Sequence, residues 1–326
     1  MAAYETYDTT GEAEDVQDVI FNVSPVDTPV MSMSRDMRAS ARLHEWLEDQ
    51  LSAAAANAAI EGASAAFTTP TPPVAKSNHT QIFQKTAEVS GTLEAVRLYG
   101  RDGAMAYELA RKYQELANDM ELAIVGTPNH GSGAARQTGT AGTSGSAGRQ
   151  LASLQSQLAA GVVINAEEYL PDSGDVGSEL DPITTITHLE QTILSANQAT
   201  YNEGGNPDYM IVPPSHAVDI AGFANAAGRT RDIANERVVV NTIDLYVSPF
   251  SSEMSVVLDR NLDSVCILLL DFEYLCNAVL RPTTDWEIAK IGDAERRQIL
   301  GERTFCVLNS KAHAMVDNIP ASLSAS

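Results

Sequence analysis

Basic residues are scarce in this chain of 326: 21 lysines and arginines stand against 43 aspartates and glutamates, a formal net charge of -22. Tight binding to duplex DNA rests on basic patches that release counterions from phosphates, so a sequence-reading nucleic-acid protein is excluded. A wall that merely stands beside DNA is compatible with the same charge, and like charges keep such a chain soluble at high concentration. Cysteine is equally sparse. Cys266, Cys276 and Cys306 are odd in number and mostly embedded in apolar runs. They read as small buried hydrophobes in a reducing cytoplasm, not as a disulfide framework. The most apolar run, "VCILLL" from Val265, is too short to span a bilayer. The acidic opening "MAAYETYDTTGEAEDVQDVI" lacks the apolar core of a secretory signal. The expectation is a soluble protein made in the cytoplasm with no membrane contact.

Catalytic constellations are also missing. His44-Glu45 begins like the H-E-x-x-H zinc signature, but Glu48 stands where the second histidine is needed. A polar strand edge with Trp46 packed inward explains it better. Gly139, Gly142, Gly145 and Gly148 recur every third residue without a following Gly-Lys-Ser/Thr, which describes a mobile surface loop and no phosphate cradle. Asp172-Ser173-Gly174 resembles an aspartic-protease triplet, but Pro171 replaces the preceding apolar strand and no second copy exists; a turn fits. His79, His130, His188, His216 and His313 are scattered singly. Asn78-His79-Thr80 fits a glycosylation sequon that a cytoplasmic chain would not present. No catalytic residue, metal ligand or cofactor is expected, and a structural role follows.

What the chain does contain is a sequence of unlike parts. A hydrophobic content of 44% is that of a globular protein. An acidic segment with the amphipathic piece "EDVQDVIFNV" leads into "SPVDTPVMSM", whose two X-Pro steps predict an extended path. Residues 51–74, "LSAAAANAAIEGASAAFTTPTPPV", lack large side chains. Alanine propensity favours a helix from Ala53 to Ala59. An alanine face, however, offers little area at ~25 cal/mol per Å², so such a helix could not anchor itself to a core. Pro70, Pro72 and Pro73 then enforce extended backbone. Flanked by two strand-like runs between Arg42 and Gly91, the stretch reads as the excursion of a long hairpin that projects onto another surface.

From Arg101 the period changes. Met105, Leu109, Tyr113, Leu116, Met120 and Ile124 form one apolar stripe, opposite Arg111, Glu115 and Asn118, and predict a helix from Asp102 to Val125. A weak polar helix is expected in "LASLQSQLAAG". A good one is expected in "ITTITHLEQTILSANQATYNEGG", with Ile186, Leu189, Ile193 and Leu194 on one face. "PDYMIVPPSHAVDIAGFA" reads as a buried strand, a Pro-Pro break and a helix from Ser215. Strands follow in "IDLYVSPF", "MSVVLD", "VCILLLD", "LCNAVLRP", "DWEIAKIG" and the long return "RRQILGERTFCVLNSKAHAMVDN". Helices and strands without regular alternation predict an α+β fold.

This order of parts resembles the major capsid protein of tailed bacteriophages, the Hong Kong 97-type shell fold. Within that group it is similar to the major head proteins of certain podoviruses and related siphoviruses. The strings that carry the resemblance span nearly the whole chain. They are "NVSPVDTPVMSM", "HEWLEDQLSAAAANAAIEG", "NHTQIFQKTAEVSGT", "AYELARKYQELANDMELAIV" and "LRPTTDWEIAKIGDAERRQILGERTFCVLNSKAHAM". The resemblance implies an N-terminal arm over 1–40 and an extended loop over 41–91. It further implies a peripheral domain with spine helix and Gly-rich loop over 92–183, an axial domain over 184–280, and a peripheral return over 281–326.

Its implied partners are other copies of the chain in pentamers and hexamers, and portal, scaffolding and decoration proteins. The shell would enclose double-stranded DNA without sequence-specific binding. The Ala-rich stretch becomes the loop tip lying across a neighbour, its helical propensity overridden. Trp46, Ile60, Phe67, Ile82 and Phe83 become candidates for the inter-subunit interface, with Trp46 exposed until a neighbour covers it. Some relatives cross-link through a loop lysine. Lys76 and Lys85 lie in this loop, but no motif identifies a catalytic glutamate, so no cross-link is expected. The alternatives are another self-assembling virion protein or a soluble hydrolase with an unrecognised site.

Overall fold

The computed structural model describes residues 24, 26–52, 54–58, 60–62, 64, 67, 69–101, 103–126, 138–165, 170–171, 180–181, 185–226, 245–250, 253–320 and 323. A short helix α1 (Pro29–Met33) leads into strand β1 (Arg35–Arg38), then into β2 (Leu43–Glu48) and β3 (Val74–His79). Strand β4 (Gln81–Ser90), the one-turn helix α2 (Gly91–Ala95) and the long helix α3 (Ala104–Val125) follow. Next come α4 (Leu154–Gln157), β5 (Val163–Asn165), the short pair β6 (Leu170–Pro171) and β7 (Leu180–Asp181), and α5 (Ile186–Asn202). The second half holds β8 (Tyr209–Val212), α6 (Ala217–Ala226), β9 (Leu245–Val247), β10 (Glu253–Leu258) and β11 (Ile267–Leu270). The chain closes on β12 (Leu275–Ile288), β13 (Ala294–Val307) and β14 (Ala314–Asp317).

Two larger sheets organise these elements. The six-stranded sheet has the order β5-β14-β11-β8-β10-β9. Every position of β11, "ILLL", is buried, as expected of a central strand covered on both faces. One of its faces packs with Leu189 and Ile193 of α5 and Phe223 of α6. The four-stranded sheet has the order β1-β12-β13-β4. Its odd-numbered β13 residues face α3, where Ile299 meets Phe83, Leu116 and Met120. Phe305 and Val307 join Ile124, Ile211 and Leu268 in a core that both sheets share.

Most expected elements are present, and the differences have physical causes. The apolar stripe of α3 holds at Met105, Leu116, Met120 and Ile124, which are buried. Tyr113 instead lies at the surface and donates its hydroxyl to Asp285 at 3.1 Å. That hydrogen bond and burial together raise the Tyr113 phenol above its ordinary value, burial being the larger cause. Residues 29–33 are helical where two X-Pro steps predicted extension, because Pro29 occupies the first turn, where its missing N–H costs nothing. The helix expected in "LASLQSQLAAG" shrinks to α4, since Ala159 N–H leaves it to bond Ser310 O at 3.1 Å. The Gly-rich run is not a loose loop in its described part: Thr140 bridges Gln150 and Thr143 bridges Ala147. Gly142 sits there at φ 70°, and a Cβ would meet Ala147 O at 2.7 Å. The amphipathic piece of the acidic opening, His130 and Asp172-Ser173-Gly174 lie outside the described residues.

Candidate assembly surface

β2 and β3 pair from Leu43↔His79 to Glu48↔Val74, and the chain between them leaves the body. Among the described residues of 51–73 there is neither helix nor strand, only a turn at Glu61–Gly62. In the described part of this stretch the helical propensity of the alanines is therefore not realised: they carry too little apolar area to pack, and no described residue covers Ala54, Ala55, Ala56 or Ala58. Ile60 is 83% and Phe67 96% exposed, and Leu47, Leu51 and Val74 are exposed with them. Large apolar side chains gathered on one projecting segment mark an interaction surface.

The base of this hairpin is tied to the body by packing and hydrogen bonds. Trp46 is half-buried, its ring against Ala39, Cys276, Ala278 and Cys306, and its Nε1–H donates to Val307 O at 2.9 Å. The expectation of a ring exposed until a neighbour covers it is thereby corrected. Small side chains on the even-numbered face of β12 and β13, with Cys276 directly opposite Cys306, leave room for the indole. All three cysteines are buried and none forms a disulfide. Glu48 accepts from Ser310 N–H at 2.9 Å and Ser310 Oγ–H at 2.7 Å, which gives this near-zinc-motif residue a structural task. Lys311 bonds both Gln50 Oε1 (2.8 Å) and Glu203 Oε2 (2.6 Å), and that hydrogen bond holds the exposed Glu203 carboxyl below its usual range. A groove of about 820 Å³ opens here, lined by Glu48, Leu51, Pro72, Val74 and Glu203.

Two buried polar residues fix where the hairpin leaves the sheet. Asn78 donates Nδ2–H to Phe305 O at 2.7 Å and to Ala152 O at 3.1 Å, and accepts Ala152 N–H at 2.7 Å. Its sequon is sealed inside the fold. Glu302, also buried, accepts from Thr80 Oγ–H at 2.8 Å, Arg281 Nε–H at 2.8 Å and Arg149. One carboxylate thus joins β12, β13, the Gly-rich segment and the β3–β4 junction. Neither Asn78 nor Glu302 was singled out for this role in the sequence, because their partners lie far along the chain. His216, counted among the single histidines, pairs through Nδ1 with Asp219 Oδ2 at 2.8 Å one helical turn on.

β4 separates the two remaining candidates. It pairs with β13 over its whole length, and its period of two sends Phe83, Ala87 and Val89 toward α3. Phe83 is 5% exposed and belongs to the core of its own chain, which corrects its place among the interface residues. Ile82 points the other way and is 44% exposed. By the β4–β13–β12 register it shares its sheet face with Trp286 and Ile288, both also exposed. Lys76 pairs with Glu48 at 3.6 Å and Lys85 with Asp119 of α3 at 2.6 Å, so both loop lysines are engaged.

The profile of the SU10 major capsid protein family matches residues 3–320. The chain belongs to that family. A curated relative, the major capsid protein of Escherichia phage Phieco32, is 26% identical over 330 residues, covering 91% of each chain. Among solved structures, the capsid of cyanophage P-SCSP1u aligns with a TM-score of 0.59 at 11% identity, covering 97% of this chain and 95% of that one. A structure of the phage G major capsid and decoration proteins aligns at 0.54 and 8% identity, covering 94% and 95%. The fold is therefore the Hong Kong 97-type phage capsid fold, and the chain is a major capsid protein and a part of the virion. Helices and strands mix in it as an α+β fold requires.

Proposed function

We propose that copies of this chain close, through pentamers and hexamers, into an icosahedral shell that encloses packaged double-stranded DNA, assembled in the host cytoplasm. The observation that carries this reading is the projecting segment between β2 and β3. Ile60 and Phe67 find no cover among the described residues, while the hairpin base is clamped by Trp46, Glu48, Asn78 and Lys311. An apolar segment projecting from a clamped base suits docking on a second copy. The face carrying Ile82, Trp286 and Ile288 is the partner surface we assign to it. Contacts between unlike patches of this kind close into rings.

In this reading 1–40 is the arm, 41–91 the extended loop, 92–183 with 281–326 the peripheral part, and 184–280 the axial part. Portal, scaffolding and decoration proteins are its further partners, and its role is structural, not catalytic. The net charge of -22 suits a wall that must not grip phosphates. Covering a Phe removes ~150–250 Å² from water, which corresponds to ~4–6 kcal/mol before ordering costs. Phe67→Asp should leave the folded subunit intact and reduce shell yield in sedimentation by at least an order of magnitude. Unchanged shell yield would remove the tip from the interface.

A further inference from the structure

Glu121 stands in the apolar stripe of α3, between Met120 and Ile124, and is fully buried. Each of its carboxylate oxygens accepts one backbone N–H from α1: Oε1 from Val30 at 2.7 Å and Oε2 from Met31 at 2.8 Å. The Val30 side chain is itself buried, against Ile124 and Leu154. Asp259, which follows β10 and is fully buried too, lies close enough to Glu121 for the two side chains to interact. Its Oδ1 accepts Asn261 N–H at 2.8 Å and its own N–H donates to Val212 O at 3.1 Å, while Oδ2 meets no protein donor.

Neither carboxylate has an ion pair with any described residue. The ionisable groups on the neighbouring elements are engaged elsewhere or face solvent. α1 carries none. On β13, Arg303 reaches Met31 Sδ at 3.7 Å and Thr283 Oγ at 3.2 Å, with Asp36 of β1 nearby. On the turn after Asp259, Arg260 is exposed and Asp263 half-buried. Cys266 Sγ accepts from Gln155 at 3.4 Å, and Gln155 also donates to Val125 O at 2.7 Å. Glu121 and Asp259 thus face each other. Burial, then the charge of Asp259, push the Glu121 carboxyl up to about 8, and burial raises Asp259 as well. Two carboxylates in one dry site hold a proton between them, and that proton supplies the donor that Asp259 Oδ2 lacks.

We propose that Glu121 and Asp259 form a proton-dependent latch, which ties residues 29–33 and the end of β10 to α3 while the two carboxylates share a proton. With the proton in place, one O–H···O bond joins α3 to the six-stranded sheet, and the single remaining charge is met by the two amides of α1. Loss of the proton leaves two negative charges face to face without a cation, and hydration relieves them. The cheapest opening is α1, which is only five residues long. Because the pair touches α1, α3 and the strand end at once, freeing the arm segment also loosens the join between the two sheets.

The direction of the pH dependence follows from linkage. An open latch exposes a glutamate with its ordinary value of 4.5, whereas the closed one titrates at about 8, so closing takes up a proton between those limits. The latch is tightest in acid, weakens by roughly tenfold per pH unit as pH rises toward about 8, and changes no further above it.

Hydrogen–deuterium exchange of the full-length protein, read on peptides covering residues 26–36 from about pH 5.5 to 9 and divided by the intrinsic rate, tests this. Protection of Val30 and Met31 should fall roughly tenfold per pH unit and level off near pH 8. Asp259→Asn keeps both amide bonds to Glu121 and removes the second acid, which should move the fall in protection to lower pH, since burial alone still raises Glu121; the double variant Glu121→Gln/Asp259→Asn, with neither acid left, should abolish the slope. A flat wild-type profile would overturn the latch, and so would a slope that survives in the double variant or an Asp259→Asn profile that matches the wild type. A slope shared equally by the amides of β11 would assign the loosening to the whole fold and overturn it too.

Discussion

Replacing Glu302 by alanine should destabilise the subunit far more than any surface substitution. The carboxylate is almost completely buried and serves Thr80, Arg149 and Arg281. Removing one side of such a buried ionic cluster costs ~3–5 kcal/mol, chiefly because the remaining groups stay desolvated. Here Arg149 and Arg281 keep 23% and 47% of their side-chain surface in contact with solvent, which sets the expectation at the lower end, about 3 kcal/mol. Thr80 Oγ–H has a second acceptor in Arg42 O at 3.2 Å and is not stranded. Glu302→Gln keeps the shape and one acceptor oxygen but exchanges charge-assisted bonds for neutral ones, at about 1–2 kcal/mol. Thermal unfolding of the unassembled subunit, followed by circular dichroism, reads both. A loss of 3 kcal/mol corresponds to a fall of roughly 4–5 °C for a chain of 326 residues. If Glu302→Ala unfolds within a degree or two of the wild type, the carboxylate does not join the four segments as described.

Trp46→Phe should cost about 1–2 kcal/mol through the lost bond to Val307 O, without unfolding the chain. In a Trp286→Phe background, acrylamide should quench Trp46 almost equally before and after assembly. Trp286, 48% exposed in the subunit, should instead become protected in the shell; the reverse pattern would contradict the assigned docking face. Phe83→Ala should destabilise the isolated subunit by about 3–5 kcal/mol, as a core cavity does. Ile82→Ser should leave subunit stability within about 0.5 kcal/mol and lower shell yield, and equal thermal shifts for the two would refute the β4 register.

Periodic features were legible in the sequence. The stripe from Met105 to Ile124, Tyr113 excepted, the face of α5 and the proline-bounded excursion after β2 each rest on local spacing, and each is where it was expected. Resemblance supplied what spacing could not, namely the shell fold. Long-range pairing was illegible. Ile82 and Phe83 are adjacent and both apolar, so only the pairing of β4 with β13 decides which one faces α3. Trp46 looked stranded because its acceptor, Val307, is 261 positions away. Glu121 sat unnoticed in an apolar stripe, since the amides that occupy it belong to a segment whose two prolines suggested extended chain. The pair His216–Asp219 did have a local signature, a spacing of three in a helical context, and counting histidines alone concealed it.

Negative-stain electron microscopy of the purified protein, beside a variant lacking residues 52–73, tests self-assembly through the projecting loop most directly. The wild type should form closed shells of uniform diameter. The variant keeps the Glu48–Val74 pairing that ends the hairpin, so it should remain folded and run as small particles. Wild-type protein that stays in small discrete particles, or a variant that builds the same shells, would contradict the account.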